Sequence, residues 1–217
     1  MEILYEDRDI FVAVKPIGAV SEQTAASDGF ADLLAARNDG YIGVIHRLDR
    51  AVSGVMVYAR TQSAAAELSR AVQEHRFEKV YLAVVHGRPA SDAGELRDLL
   101  FFDRQKQKSF VVDRVRSGVK EAILDYEVLE TVEHPDLGEI SLVRIILRTG
   151  RTHQIRVQFA SRGHALVGDG KYGARERCDV GLFCTRIGFA HPRTKRPTVL
   201  EKAPTHGIFS AFCGEKR

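Results

Sequence analysis

The chain has no tryptophan, two methionines, six prolines and three cysteines in 217 residues. Cys178, Cys184 and Cys213 are odd in number and contain no CxxC pair, which argues against a disulfide framework and leaves packed thiols. No apolar run approaches the roughly 18–20 residues of a membrane span. The opening Met1-Glu2-Ile3-Leu4-Tyr5-Glu6-Asp7 is not a signal peptide, so a cytoplasmic protein with no membrane partner is expected. Common chemical signatures are missing as well: there is no Walker loop, no strand–GxGxxG–helix unit, no HExxH and no GxSxG. Cys178, Cys184, His191 and His206 match no usual zinc spacing, so no metal is expected. Redox, phosphoryl-transfer and common hydrolase chemistry all lose ground. With no repeat, low-complexity tract or long linker, a single domain over residues 1–217 and a monomer are expected.

At 44% hydrophobic and 28% charged residues the chain can bury a core. Its net charge of +3 hides an asymmetry. Residues 1–100 carry 11 Lys+Arg against 15 Asp+Glu, while residues 101–217 carry 21 against 14. Of the 32 basic residues 23 are arginine, whose planar fork suits phosphates and bases. A polyanionic partner and a plain solvated basic surface both fit this distribution.

Apolar runs place the elements. Ile10–Val14, Gly54–Tyr58, Val80–Val85, Ala122–Leu129, Glu139–Leu147 and Gly181–Ala190 read as strands. Asp28–Ala36 reads as a short helix with Phe30, Leu33 and Leu34 on one side. A second helix runs to about Glu74, capped within Thr61-Gln62-Ser63, with Ala64, Leu68 and Ala71 as its stripe. Thr152 is the expected cap of a third, ending near Gly163. Residues 90–120 are polar and basic, either two short solvated strands or a surface arm. Strands outnumber helices without regular alternation, so the fold class is α+β with a mixed sheet.

Two polar clusters interrupt this pattern. In His46-Arg47-Leu48-Asp49-Arg50, bounded by apolar segments, Asp49 stands between two arginines that favour its ionised form. A carboxylate held so is either a nucleophile or base, or a turn Asp capping backbone groups. In Arg148-Thr149-Gly150-Arg151-Thr152-His153-Gln154-Ile155-Arg156, a helix starting near His153 puts Arg156 one turn in, where it can point inward. A buried arginine needs an anion, either a core carboxylate or Asp49.

These residues resemble RluA-type (RsuA/RluA-like) pseudouridine synthases. His46-Arg47-Leu48-Asp49-Arg50 with Ser53-Gly54 is similar to the family's HRLDRxTSG signature. Lys15-Pro16-Ile17-Gly18 resembles its KPxG turn, Lys79-Val80-Tyr81-Leu82-Ala83 its KxYxA segment, and Gly150–Arg156 its GRTHQIR segment. Gly168–Gly173 and Ala190-His191-Pro192 resemble its GDxxYG and HP elements. The order of the motifs makes the resemblance specific. Ala51-Val52 and Leu182-Phe183-Cys184 depart from the family's usual Asp-Thr and Leu-His-Ala.

The resemblance implies an isomerase that converts a flipped-out uridine of structured ribosomal or transfer RNA to pseudouridine, with no cofactor. It implies Asp49 as the catalytic carboxylate, Tyr81 against the uracil, and Arg156 paired with Asp49. Arg47 would fill the vacated stack, and His46, Arg50, Arg151, His153 and Gln154 would be RNA-binding. The fold implied is a mixed, mainly antiparallel sheet flanked by helices with the cleft across its middle, and no N-terminal RNA-binding extension. Two other readings remain: a catalytically silent RNA-binding module of the same fold, and a nucleosidase, which usually wants paired carboxylates. For the nucleosidase, Asp169 is the only obvious second acid in a motif.

Overall fold

The structure, a computed structural model, describes residues 1–22, 29–38 and 40–212. In chain order the elements are β1 (Glu2–Glu6), β2 (Ile10–Lys15), α1 (Phe30–Asn38), β3 (Gly43–Val44), β4 (Ser53–Ala59), α2 (Gln62–Gln73) and β5 (Glu78–His86). There follow β6 (Ala93–Asp103), β7 (Lys108–Val112), β8 (Val119–His134), β9 (Gly138–Leu147), α3 (Gln154–Ala160), β10 (Leu182–Ala190) and β11 (Pro197–Glu201). The architecture is α+β, a mixed, mostly antiparallel sheet with few helices. The chain divides into two compact units, Met1–Val80 with Phe183–Ala203, and Tyr81–Leu182 with the segment from Pro204 onward.

In the first unit the strand order is β1-β2-β4-β10, with β3 on β4 and β11 on β10. Only β4 and β10 are parallel among the pairings recorded there. Ile10, Phe11, Val12 and Ala13 of β2 and Val55–Ala59 of β4 are inaccessible to solvent. Such unbroken burial explains why both strands read as continuous apolar runs rather than alternating ones. The Thr61 side chain accepts from the Ala64 N–H, and Ala64, Leu68 and Ala71 are the buried stripe of α2, as expected. In α1, Phe30 and Leu34 are buried but Leu33 is 56% exposed, so it does not share their face. Asp28, the expected first residue of that helix, lies outside the described residues, as does Cys213.

Gly54 is required by this packing. It stands opposite Cys184 in the parallel pairing, at φ +134°, and a Cβ there would meet the Cys184 amide nitrogen at 2.4 Å and its carbonyl oxygen at 2.5 Å. Backbone cannot yield as a flexible side chain does. Gly54→Ala is expected to destabilise the protein by more than about 3 kcal/mol in denaturant unfolding. A loss below about 1 kcal/mol would contradict this account of the β4–β10 contact.

In the second unit β5, β9, β8, β6 and β7 lie in that order. The stretch 90–120 resolves as β6 and β7, and β6 pairs with β8 over nine residue pairs from Ala93↔Glu127 to Phe101↔Val119. Its polarity misleads because solvent covers one side, and only Leu96 and Leu100 of β6 are buried. The bulge in β8 between Val128 and Glu130 shifts the register against β9. Leu100, Ala122, Val157 and Tyr172 pack as one cluster. Thr152 is not the cap of α3. His153 takes that position in the left-handed region (φ 54°), without a side-chain cap bond.

Candidate active site

In the first unit, local bonds fix the polar loop that carries Asp49. Ser21 Oγ accepts the Leu48 N–H (3.1 Å) and donates to the Leu48 carbonyl (2.9 Å). Gly18 N–H donates to the Arg50 carbonyl (2.8 Å), and Arg50 Nε donates to the Gly18 carbonyl (2.9 Å). The Val52 N–H closes a turn on the Asp49 carbonyl (2.9 Å). Asp49 is half-buried, and Arg47 and Arg50 are exposed. Arg47 pairs with Glu22 at 2.8 Å, with 68% of its side chain exposed.

A cation that sequence reasoning missed is Lys15, inaccessible to solvent at the end of β2. Its Nζ donates to the carbonyls of Pro16 (3.0 Å) and Ala19 (2.7 Å). Burial pushes its pKa down to about 8, opposed by the Asp49 carboxylate. The signal was present in Lys15-Pro16, where a lysine closes an apolar strand, but nothing local shows which way it turns. Because the folded pKa lies below the unfolded one, the unfolded chain binds more protons between about pH 8 and 10.5, and stability rises with pH there. From pH 7 to 9.5 this group is expected to add about 2 kcal/mol to unfolding. Lys15→Met is expected to lack that gain, and equal slopes in both proteins would refute it.

His46 departs from the RNA-binding expectation. Its ring is buried and packs on Phe77, with centroids 5.2 Å apart, and its Nε2 accepts the Val57 N–H (3.2 Å). Burial pushes its pKa down to about 3, with the Lys79 charge adding to the effect. Asp7, Asp9 and His191 bring ligand-type atoms within 4.8 Å of one another. Those atoms are engaged by protein donors. His191 Nε2 meets Asp7 Oδ2 at 2.8 Å, and Arg193 holds both oxygens of Asp9. The cluster ties the β1–β2 turn to the turn after β10.

In the second unit, Tyr81 lies on β5 at 5% exposure. Arg156, also 5% exposed, sits on α3 and has an anion in its own unit: Nε donates to Asp169 Oδ2 (2.6 Å) and Nη2 to Oδ1 (2.7 Å). Gln154 is buried and bonded at both ends of its amide. Oε1 accepts from Thr149 Oγ1 (2.8 Å) and the Arg151 N–H (3.0 Å), and Nε2 donates to the Ile123 carbonyl (3.1 Å). Those bonds shape the loop before α3 and go against an RNA contact. His153 is half-buried with Nδ1 on the Tyr172 hydroxyl (2.9 Å), and Arg151 Nε donates to the Glu121 carbonyl (2.8 Å). Cys178 is exposed and Cys184 buried, and neither forms a disulfide among the described residues. Among the described residues no helix is long and apolar enough to cross a membrane.

The sequence profile of the RNA pseudouridylate synthase family matches residues 9–161. The chain is 34% identical over 214 residues to an uncharacterised RNA pseudouridine synthase of Aquifex aeolicus, an alignment covering 88% of this chain and 66% of that protein. It is 29% identical over 214 residues to a ribosomal large subunit pseudouridine synthase D of Zymomonas mobilis, covering 88% of this chain and 65% of that protein. The chain thus spans about two thirds of the length of these relatives. In fold it resembles human RNA pseudouridylate synthase domain containing 1, with a TM-score of 0.78 at 23% identity over 94% of this chain and 83% of that one. The chain belongs to the RNA pseudouridylate synthase family.

Proposed function

We propose that the protein isomerises a uridine of structured ribosomal or transfer RNA to pseudouridine, with Asp49 as the acting carboxylate. The observation that carries this is the HisArgLeuAspArg loop, held by Ser21 and Gly18 so that Asp49 is fixed in place on a family domain. In the reaction the N1–C1′ bond breaks, C5 bonds to C1′, the C5 proton leaves and N1 gains one. No electrons or groups are exchanged with a second reactant, so the chemistry itself asks for no cofactor. In this reading Asp49 acts at uracil C6 or at ribose C1′, Tyr81 lies against the base, and Arg156, held by Asp169, is a further catalytic residue.

Taking a uridine out of its stack costs a few kcal/mol. Arg47 suits the vacated space, since a flat guanidinium stacks as a base does. Its exposed bond to Glu22 is worth about 1 kcal/mol or less and yields readily to RNA. Arg50, Arg151 and His153 remain RNA-contact residues in this reading. The basic second half supplies phosphate contacts, which makes binding salt-dependent.

The test is tritium release from 5-tritiated uridine RNA prepared from ribosomal and transfer RNA, with pseudouridine identified in the product by mass spectrometry. Wild-type protein is expected to release tritium and form pseudouridine. Binding without any product favours the silent module, and free uracil favours the nucleosidase.

A further inference from the structure

The surroundings of Arg156 restrict it more than an ion pair needs to. Asp169 engages it through Nε and Nη2 at once, and the two side chains are 6% and 1% exposed. A two-point bond along one edge of a planar guanidinium removes rotation within that plane. Three residues after Asp169, the Tyr172 ring lies under the guanidinium, 5.1 Å from its carbon to the ring centroid. That contact sets the tilt of the plane. Tyr172 is itself held: its hydroxyl accepts the Ser109 N–H (2.8 Å) and bonds His153 Nδ1 (2.9 Å).

The loop carrying Asp169 and Tyr172 is equally constrained. The Asp169 N–H donates to the Leu166 carbonyl (3.1 Å) and the Tyr172 N–H to the Asp169 carbonyl (2.9 Å). Glu176 Oε1 accepts the Gly168 N–H (2.6 Å), and Gly168 adopts φ +76° where a Cβ would meet the Asp179 carbonyl oxygen at 2.4 Å. Apolar side chains of similar volume commonly fill a core at no loss of stability relative to a buried ion pair. What the charged pair adds here is direction. Both the plane and the in-plane angle of the guanidinium are set by these contacts.

We infer that Asp169 and Tyr172 are positioning residues that clamp Arg156 so that it meets the reacting groups in one orientation. This rests on the reading of Arg156 as part of the proposed reaction. The clamp acts on turnover rather than on RNA capture, since Asp169 and Tyr172 are buried and Asp169 repels phosphate.

The experiment measures kcat and KM for pseudouridine formation in Asp169→Asn, Asp169→Glu, Tyr172→Leu and Arg156→Ala, with melting curves to show that each is folded. Asp169→Asn keeps the shape and loses the two-point ionic bond. Its kcat is expected to fall about 100-fold with KM within about threefold, because small misplacement of a reacting group has that cost. Asp169→Glu, which restores a forked acceptor, is expected to recover at least tenfold of the loss. Tyr172→Leu is expected to lose about tenfold in kcat. Should Asp169→Asn fail to fold, the Glu and Leu variants decide. A kcat within threefold of wild type in Tyr172→Leu, or no advantage of Glu over Asn, overturns the clamp.

An inactive Arg156→Ala beside an Asp169→Asn of wild-type kcat overturns the clamp alone. Full turnover in Arg156→Ala overturns both the clamp and the part assigned to Arg156. Wild-type protein that makes no pseudouridine overturns the functional reading itself.

Discussion

Asp49→Asn is expected to lower pseudouridine formation by about 1,000-fold or more while leaving RNA affinity unchanged or tighter. Asparagine has the shape of aspartate but no negative charge to attack or assist with. Asp49→Asn leaves in place the bonds that Ser21, Gly18, Arg50 and backbone groups make in the loop, so the loop is expected to keep its course. The variant therefore separates chemistry from folding. Removing a negative charge beside incoming phosphates cannot weaken binding electrostatically. Single-turnover rates and salt-dependent binding curves on one RNA check both halves, and a rate within tenfold of wild type would refute the role of Asp49.

Acid is expected to destabilise the protein through one buried histidine. His46 titrates near 3 in the folded chain and near 6.5 when unfolded, because its interior position gives the imidazolium no water. Between those values the unfolded chain binds the extra proton, so stability falls as pH drops below about 6.5. The loss is about 2 kcal/mol by pH 5 and on the order of 4–5 kcal/mol by pH 3. A neutral ring whose Nε2 accepts from Val57 carries its proton on Nδ1, for which the described residues provide no partner. His46→Gln, whose amide oxygen reaches the same N–H, is expected to flatten the pH dependence between 6.5 and 5. Comparing the two proteins cancels the other histidines and carboxylates. Parallel stability profiles would refute it.

Much of the fold was legible. Uninterrupted apolar runs marked β2, β4 and β5, and the Thr61 cap and Ala64–Leu68–Ala71 stripe marked α2, because local spacing alone decides those elements. β1 and β11 were not read, being five residues each with no fully buried position. The β6–β7 hairpin hid behind its charge. Helix α3 was foreseen, but its cap was assigned to Thr152 and not to His153, since propensity does not anticipate a left-handed histidine.

The site divides the same way. The sequence by itself determined which residue types stand together: an aspartate between arginines, an arginine one turn into a helix, and a Lys-Pro turn, in an order that belongs to one family. Only the tertiary structure decided what each touches. Arg156 is paired with Asp169, thirteen residues away, Lys15 is buried within the influence of Asp49, and His46 and Gln154 are turned inward. The physical reason is that helix and strand follow from spacing along the chain, whereas a counter-ion or acceptor is whichever group the folded backbone brings within about 3 Å. That neighbour can come from any distance in sequence, so the type of a side chain is local information and its partner is not.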